Sequence, residues 1–508
     1  MASGLVLLLG VWPGNLLGLR GSNPVPEERN RVPSLGNALL ISAMRMNVPP
    51  EDHEFSVVIS GGRVMDPETG LDQVLNVGID KGTVTALTPV ELQGKKEIDA
   101  SGLVVAPGFI DILSYDPNPF GIWFKVGDGV TTNLGMHGVS KQAAPWFAEW
   151  EFTGSPAHYG AAFDHAFTRG TLMGLGTNVE STPEQVQELA EYARQDLAAG
   201  FIGVDFELEY SAGASYDEVK AVSQVAADHN VPAFFHGRYS DMEEPGTNFD
   251  TLNEILSAAR DTGSAVHVSH INSTGGTFTM ERSLEILEKA RADGVDVSAC
   301  TYPYDFWATS LASDRFAPGW QERFRIDYDD LVIPGTGERL TEESFARYQA
   351  ERQIAAAFAI PEDDVRDALA SPMVMIGSDG ILEPDENNHP RDAGTFARVL
   401  GKYVREERLI PLMEALRKMT LMPAERLEEQ APALRKKGRL QIGMDADITI
   451  FDPETVIDRS TIEHPDRMST GIEWVLVLGK VVKDPKGVNY DIEPGKPITS
   501  DFSDVEAA

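Results

Sequence analysis

Four residues of this 508-residue chain stand where a metal ion could be held and a proton moved: His137, His236, His270 and Asp379. His236 closes the apolar run 233–236 and His270 closes 265–270. His137 follows 129–134, and Asp379 follows 373–376 in Ile376-Gly377-Ser378-Asp379-Gly380. His236 and His270 lie 34 residues apart, the length of one strand-plus-helix unit, which places them on adjacent strands. A lone histidine at a strand end is ordinarily a hydrogen-bonded structural residue; four ligand-type residues at four strand ends point to function. Three imidazoles around one Zn²⁺, with a fourth position left to water, make a catalytic rather than a structural site. Such an ion lowers the pKa of its water to roughly 7, and Asp379 is the carboxylate able to take the proton. Cys300 is the only cysteine, so no disulfide and no Cys-rich metal site can form within the chain.

The elements that must carry these residues follow from periodicity. Short apolar runs at 103–111, 129–134, 171–175, 202–206, 233–236, 265–270, 295–300 and 373–376 alternate with amphipathic segments such as 183–198, 216–229, 251–262 and 280–292. Eight strands with intervening helices predict an α/β fold, a (β/α)8 TIM-type barrel, in which reactive residues gather at the C-terminal strand ends. The gap 301–372 is too long for one helix and holds the segments 320–331 and 340–358, which predicts a lid-like insertion over about 312–365. Runs at 56–62, 75–79 and 84–87 near one end, and 446–451 and 474–482 near the other, read as strands. They predict a small β-sandwich assembled from 55–105 and 435–490, with the barrel, 106–434, inserted into it. Residues 1–54 read as an N-terminal extension and 491–508 as an acidic tail.

Asp plus Glu number 79 against 43 Lys plus Arg, a formal charge of −36. So negative a surface repels phosphate backbones and anionic lipid, which argues against nucleic-acid and membrane-surface partners and leaves a small molecule as the expected one. The run 4–19 is apolar but interrupted by Pro13 and Asn15, lacks a basic residue before it and is too short to span a membrane. A cytoplasmic location is the expectation, with a secreted or periplasmic one if residues 1–20 act as a signal. Met44 and Met46, just before the first strand-like run, are alternative starts. Nothing in the sequence fixes the oligomeric state, and no phosphate-binding loop motif is present.

Ala106-Pro107-Gly108-Phe109-Ile110-Asp111 resembles the end of strand 1 in the amidohydrolase superfamily. Gly129-Val130-Thr131-Thr132, Leu208-Glu209-Tyr210, His236-Gly237-Arg238, Ser269-His270, Tyr302-Pro303-Tyr304, Gly377-Ser378-Asp379-Gly380, His389-Pro390-Arg391 and Ala446-Asp447 resemble its N-acyl-D-amino-acid deacylase (D-aminoacylase) branch, over about residues 55–490. The resemblance implies a metal-bearing barrel with a composite β-sandwich and a lid. It also implies hydrolysis of a C–N amide bond.

Three departures qualify it. The His-x-His metal pair of the family is replaced by Leu113 and Tyr115, so one of the family's two metal positions has no ligands. Where the branch has a cysteine ligand this chain has His137, which would turn a Cys₁His₂ site into His₃ with His236 and His270. Where the branch holds the substrate carboxylate with a lysine this chain has Asn272, although Tyr304, Ser310 and Arg391 match its other carboxylate-binding positions. A neutral, amidated or cyclic substrate is then expected, unless Arg238 or Arg391 compensates; Tyr115 could donate a proton into the pocket or fill the space of the missing histidine. Glu207 and Glu209 read as solvated or ion-paired, and Asp116, His158, His165, His229, His267 and His464 as structural or exposed. The expected protein is a zinc-dependent amide hydrolase with one ion per chain, or another divalent metal in its place. Two alternatives stand beside it, a catalytically degenerate binding protein and a metal-assisted lyase or isomerase.

Overall fold

A computed structural model of the chain describes residues 49–50, 52–384 and 388–500, so the first 48 residues of the expected extension and the last eight of the expected tail lie outside the described residues. The part of the tail that is described is pinned to the body: Gly495 N–H donates to Ser155 O (2.9 Å) and Ile498 N–H to Tyr159 O (2.7 Å).

The fold is mixed α/β. Strands from both ends of the chain build one nine-stranded sheet. Val57–Asp66 pairs antiparallel with Leu71–Asp80, which pairs with Thr83–Thr88, while Val104–Pro107 bridges Val57–Asp66 to Ile448–Phe451. Ile472–Val477 and Lys480–Asp484 extend the other edge. Alternating residues of these strands, among them Ile59, Val77, Val105, Ile448, Ile450 and Leu476, share a buried cluster on one side. An isolated bridge between Thr83 and Asp445 brings the first strands to the C-terminal segment, so the sheet is wrapped round its own core.

The middle of the chain carries parallel strands. Phe109–Asp111, Val130–Gly135 and His158–Ala161 form one set. Phe163–Asp164, Val204–Glu207, Ala233–His236, Val266–Val268, Val297–Thr301 and Val374–Ile376 form the other. The sets meet at both edges: Ala162 continues His158–Ala161 into Phe163–Asp164, and Ser114 bridges in parallel to Gly380. Helices Pro183–Ala198, Tyr216–Asp228, Asn248–Thr262 and Met280–Ala292 lie where the 3.6-residue pattern predicts them. Pro183–Ala198 starts at a capping box in which Thr182 and Gln185 satisfy each other's backbone N–H groups.

Two expectations are corrected. The run 171–175 is not a strand: Thr168–Leu172 is a π-helical turn with its end exposed, and the strand position is filled by His158–Ala161 and Phe163–Asp164. The residues of His158–Ala161 are small, aromatic or polar, so burial on both faces left no apolar run to read. The run 103–111 is two strands, split at Gly108, whose N–H donates to Asp447 O and whose Cβ, if it had one, would lie 2.2 Å from Thr131 Oγ1. Only glycine lets the chain cross from the end sheet into the parallel set there. Within the insertion Glu342–Ala350 is a helix, and Ile354–Ala357 joins Trp307–Ser310 and Leu331–Ile333 in a small antiparallel sheet separate from the parallel strands.

Cys300 is fully buried in Val297–Thr301, and burial pushes its thiol up. The native chain should therefore be silent to a thiol reagent such as Ellman's, and yield its single thiol only in denaturant; fast labelling under native conditions would contradict this packing.

Candidate metal centre

Because the strands are parallel, their C-terminal ends lie on one side, and the residues that close them converge. Ala233–His236 pairs in register with Val204–Glu207, setting His236 beside Glu207. His137 leaves its strand two residues after Gly135 and is followed by Gly138 at φ +53°; a Cβ at Gly138 would lie 2.6 Å from the Tyr115 ring. His270 and Asp379 themselves adopt positive φ, +31° and +52°, a conformation that non-glycine residues hold at a cost of about 1–3 kcal/mol and that clusters at functional sites. The Asp379 turn is fixed by its N–H to Leu113 O (2.7 Å) and the His270 turn by Ser273 N–H to His270 O (2.7 Å).

The three histidines meet. Their ring centroids lie 4.8–5.5 Å apart, and each offers a ligand nitrogen within 4.8 Å of the others. One nitrogen of each ring, His137 Nε2, His236 Nδ1 and His270 Nδ1, is buried without a hydrogen-bond partner. On two rings the opposite nitrogen is held by a carboxylate. His236 Nε2 donates to Glu209 Oε2 (2.8 Å), and His137 Nδ1 faces Asp205 (3.4 Å) and Glu207 Oε1 (3.6 Å). A carboxylate can only accept, so it fixes the proton on the nitrogen it meets and leaves a lone pair on the other. Asp379 stands across the cluster, Oδ1 3.9 Å from His137 Nε2 and Oδ2 3.9 Å from His270 Nε2, and Arg391 Nη1 grips Oδ2 at 2.8 Å.

The charges follow this geometry. Burial works against protonation of His137, but Glu207 and Asp205 outweigh it and push its imidazole up to about 10. Burial, with further carboxylates nearby, pushes Glu207 up to about 8. Burial would also raise Glu209, yet Arg315 and His236 bring it down to about 2. Burial, reinforced by the neighbouring His236, His137 and Arg391, holds His270 well below the usual imidazole range, and burial lowers His236. The pocket is thus rich in acidic groups around two rings kept neutral, His236 and His270, and one, His137, drawn toward its protonated form, a field that favours a cation.

The remaining expected site residues divide. Arg391 is in the centre, and the Tyr115 ring packs 4.7 Å from His137, near Asp379 and Glu207, with burial first and those carboxylates next raising its hydroxyl. Asn272 is fully buried, but its Nδ2 donates to the backbone carbonyls of Tyr302 (3.1 Å) and Tyr304 (3.4 Å). The Tyr304 hydroxyl turns toward Gly394, whose Cβ would lie 2.9 Å from it, so it does not face the histidines. Ser310 Oγ donates to Arg352 O within the insertion. Arg238 is held by Glu254 and by the carbonyls of Ala212 and Ala214, away from the cluster. Sequence reasoning passed over Asp205 and Arg315 and discounted Glu209; the Glu-Leu-Glu run at a strand end was the available signal.

Beneath Asp379 lies a buried ion cluster. Lys125 Nζ, 2% exposed, meets Asp111 Oδ2 (2.7 Å), Asp392 Oδ1 (3.1 Å) and Ser378 Oγ, while Asp111 Oδ1 accepts Ser378 N–H (2.9 Å). One lysine thereby ties together the residues preceding Asp379 and following Arg391.

The match to known proteins agrees with this arrangement. Residues 167–483 match the model of the amidohydrolase family. The chain belongs to that family. It is 31% identical over 498 residues to N-acyl-D-glutamate deacylase of Alcaligenes xylosoxydans xylosoxydans, covering 89% of this chain and 98% of the relative. It is also 31% identical over 474 residues to D-aminoacylase of the same organism, covering 85% and 95%. In three dimensions it resembles N-acyl-D-glutamate deacylase of Bordetella bronchiseptica, solved with zinc and a phosphonate mimic of the tetrahedral intermediate, with a TM-score of 0.76 at 28% identity over 88% of this chain and all of the other. A D-aminoacylase structure gives 0.77 at 26% identity, with the same coverage. This amidohydrolase is thus a member of the D-aminoacylase branch and a hydrolase acting on carbon–nitrogen amide bonds.

Replacing Lys125 with Met would leave Asp111 and Asp392 buried without their cation, at a cost of about 3–5 kcal/mol. Urea unfolding should show that loss; a change under 1 kcal/mol would mean that the cluster does not hold the turn.

Proposed function

We propose that the protein is a mononuclear zinc hydrolase that cleaves the acyl amide of a small molecule lacking a free α-carboxylate. The observation that carries this reading is the set of three buried histidines that offer ligand nitrogens within 4.8 Å of one another, two of the rings oriented by carboxylates behind them. We read the two parallel strand sets, joined at Ala162 and at Ser114–Gly380, as one closed (β/α)8 barrel with this centre at its C-terminal rim. The zinc held by the Bordetella relative supports the choice of metal. One D-aminoacylase with a binuclear centre shows one-metal activation and second-metal attenuation, which fits a chain whose second pair of ligands is replaced by Leu113 and Tyr115.

His137, His236 and His270 would hold the ion, which when bound supplies Lewis acidity for the amide carbonyl and a lowered pKa for the attacking water. Asp379 takes the proton from that water and later delivers it to the leaving nitrogen. Its turn sets Oδ1 toward the histidines, while Arg391 on Oδ2 fixes the carboxylate's orientation. Oδ1 is buried and unpartnered, so it is the acceptor left for the proton. Tyr115 fills the space beside His137, its ring 4.7 Å from the imidazole.

What supports a substrate without a carboxylate is how the cations are engaged. Arg391 is bound to Asp379, Arg315 to Glu209, and Arg238 to Glu254. Asn272, in the position where the branch resemblance puts a lysine, gives its N–H groups to backbone carbonyls. A substrate carboxylate at Arg391 would have to share the guanidinium with Asp379, through its unpartnered Nε.

Two measurements test this. Asp379→Asn should lower kcat by about 10²–10⁴-fold while zinc content stays near one per chain; turnover within tenfold of wild type would remove Asp379 from the mechanism. Comparing an N-acyl amino acid with its carboxamide, the amide should have the equal or higher kcat/KM. A preference of tenfold or more for the free acid would overturn the substrate assignment while leaving the zinc chemistry standing.

A further inference from the structure

We propose that Arg315 is a positioning residue for the metal centre: by clamping Glu209 against His236 it makes the retention of the ion depend on the insertion that lies between Thr301 and Glu362. The inference rests on the three-histidine reading above and extends it to a side chain 45 residues further along the chain than His270.

Arg315 sits in the short 3₁₀ turn Asp314–Phe316 of the insertion, yet its guanidinium reaches down to the strand ends and is 2% exposed. Its Nε donates to Glu209 Oε2 at 2.8 Å, the same oxygen that accepts from His236 Nε2 at 2.8 Å. Its Nη atoms donate to Ser240 Oγ (3.1 Å), Ser273 O (3.0 Å) and Ser273 Oγ (3.3 Å). Ser240 lies four residues after His236 and Ser273 three after His270, so one side chain joins the loops behind two ligands and the carboxylate behind one of them. The guanidinium carbon Cζ lies over the Trp307 ring, 4.4 Å from its centroid, and Trp307 belongs to the insertion's own sheet. Fork and stacked face together fix its position, a combination that a lysine cannot reproduce.

The consequence runs through one oxygen. Glu209 Oε2 dictates that His236 carries its proton on Nε2, and so that Nδ1, the buried unpartnered atom, presents a lone pair to the cluster. Arg315 holds that oxygen in place. Without it the carboxylate is free to turn away, and the ring loses the contact that selects its tautomer and angle. An arginine that merely anchored the insertion would need none of this: Ser240, Ser273 and Trp307 would suffice.

The test uses the full chain. Zinc affinity is measured by competition with a chromophoric chelator for wild type, Arg315→Gln, Glu209→Gln and the double variant. The expected result is a 10- to 100-fold rise in Kd for each single variant, with the double variant no worse than the weaker single one because both break the same link. An Arg315→Gln chain that unfolds more readily but binds zinc within twofold of wild type overturns the proposal. If the wild type takes up no zinc, the metal reading fails by itself, and imidazole ¹⁵N NMR of the metal-free protein decides the positioning role. His236 held as the Nε2–H tautomer in wild type and mixed in the variant supports it; an unchanged tautomer overturns it. If Arg315→Gln does not fold, Arg315→Lys, which keeps the charge but not the fork, is judged by the same two readouts.

Discussion

The structure around the candidate site depends on one electrostatic constraint: carboxylates packed behind buried imidazoles. Asp205, Glu207, Glu209 and Asp379 all lie against the three histidines, and a buried carboxylate is tolerated only when paired or hydrogen-bonded. Two of the four have an arginine of their own, Arg315 for Glu209 and Arg391 for Asp379. The other two face His137, whose raised imidazole pKa is the protein's answer to their charge when it stands alone. The same surplus of negative charge that makes His137 basic makes the cluster a place where a divalent cation lowers the free energy.

This constraint explains why the surrounding backbone takes costly shapes. His270 and Asp379 hold positive φ, Gly138 is required where the chain folds back against Tyr115, and Lys125 is buried among Asp111, Asp392 and Ser378. Each would be unfavourable in isolation. Together they aim side chains from separate strand ends at one point, and the strand pairing supplies the rigidity against which they can be held.

Much of this was legible in the sequence, for physical reasons that can be named. The histidines were readable because each ends or follows a short apolar run, and in a parallel sheet the ends of such runs share one rim. The helices Pro183–Ala198 and Met280–Ala292 were readable because one face of each must be apolar. His158–Ala161 was not, because a strand buried on both faces by glycine, tyrosine and a paired histidine shows no apolar contrast, whereas the Leu-Met-Gly-Leu run after it imitates a strand but leads out of a π-helical turn that ends at Leu172. The partners behind the ligands were hidden for another reason: Glu209 and Arg315 are 106 residues apart, and charge alone does not tell a solvated residue from one that will be buried.

That last limit bears on how substrate recognition is read in this family. The Lys-to-Asn change at Asn272 reads in sequence as a lost charge, and Tyr304, Ser310 and Arg238 as retained or compensating groups. In the folded chain Tyr304 turns to Gly394, Ser310 bonds within the insertion, Arg238 serves Glu254, and Asn272 secures the backbone at Tyr302 and Tyr304. Residue type at a matching position therefore does not tell whether its polar group is free. What decides the question is whether a donor's hydrogen-bonding capacity is already taken: Arg238 gives its fork to Glu254, whereas Arg391 meets Asp379 through one nitrogen and keeps Nε unpartnered.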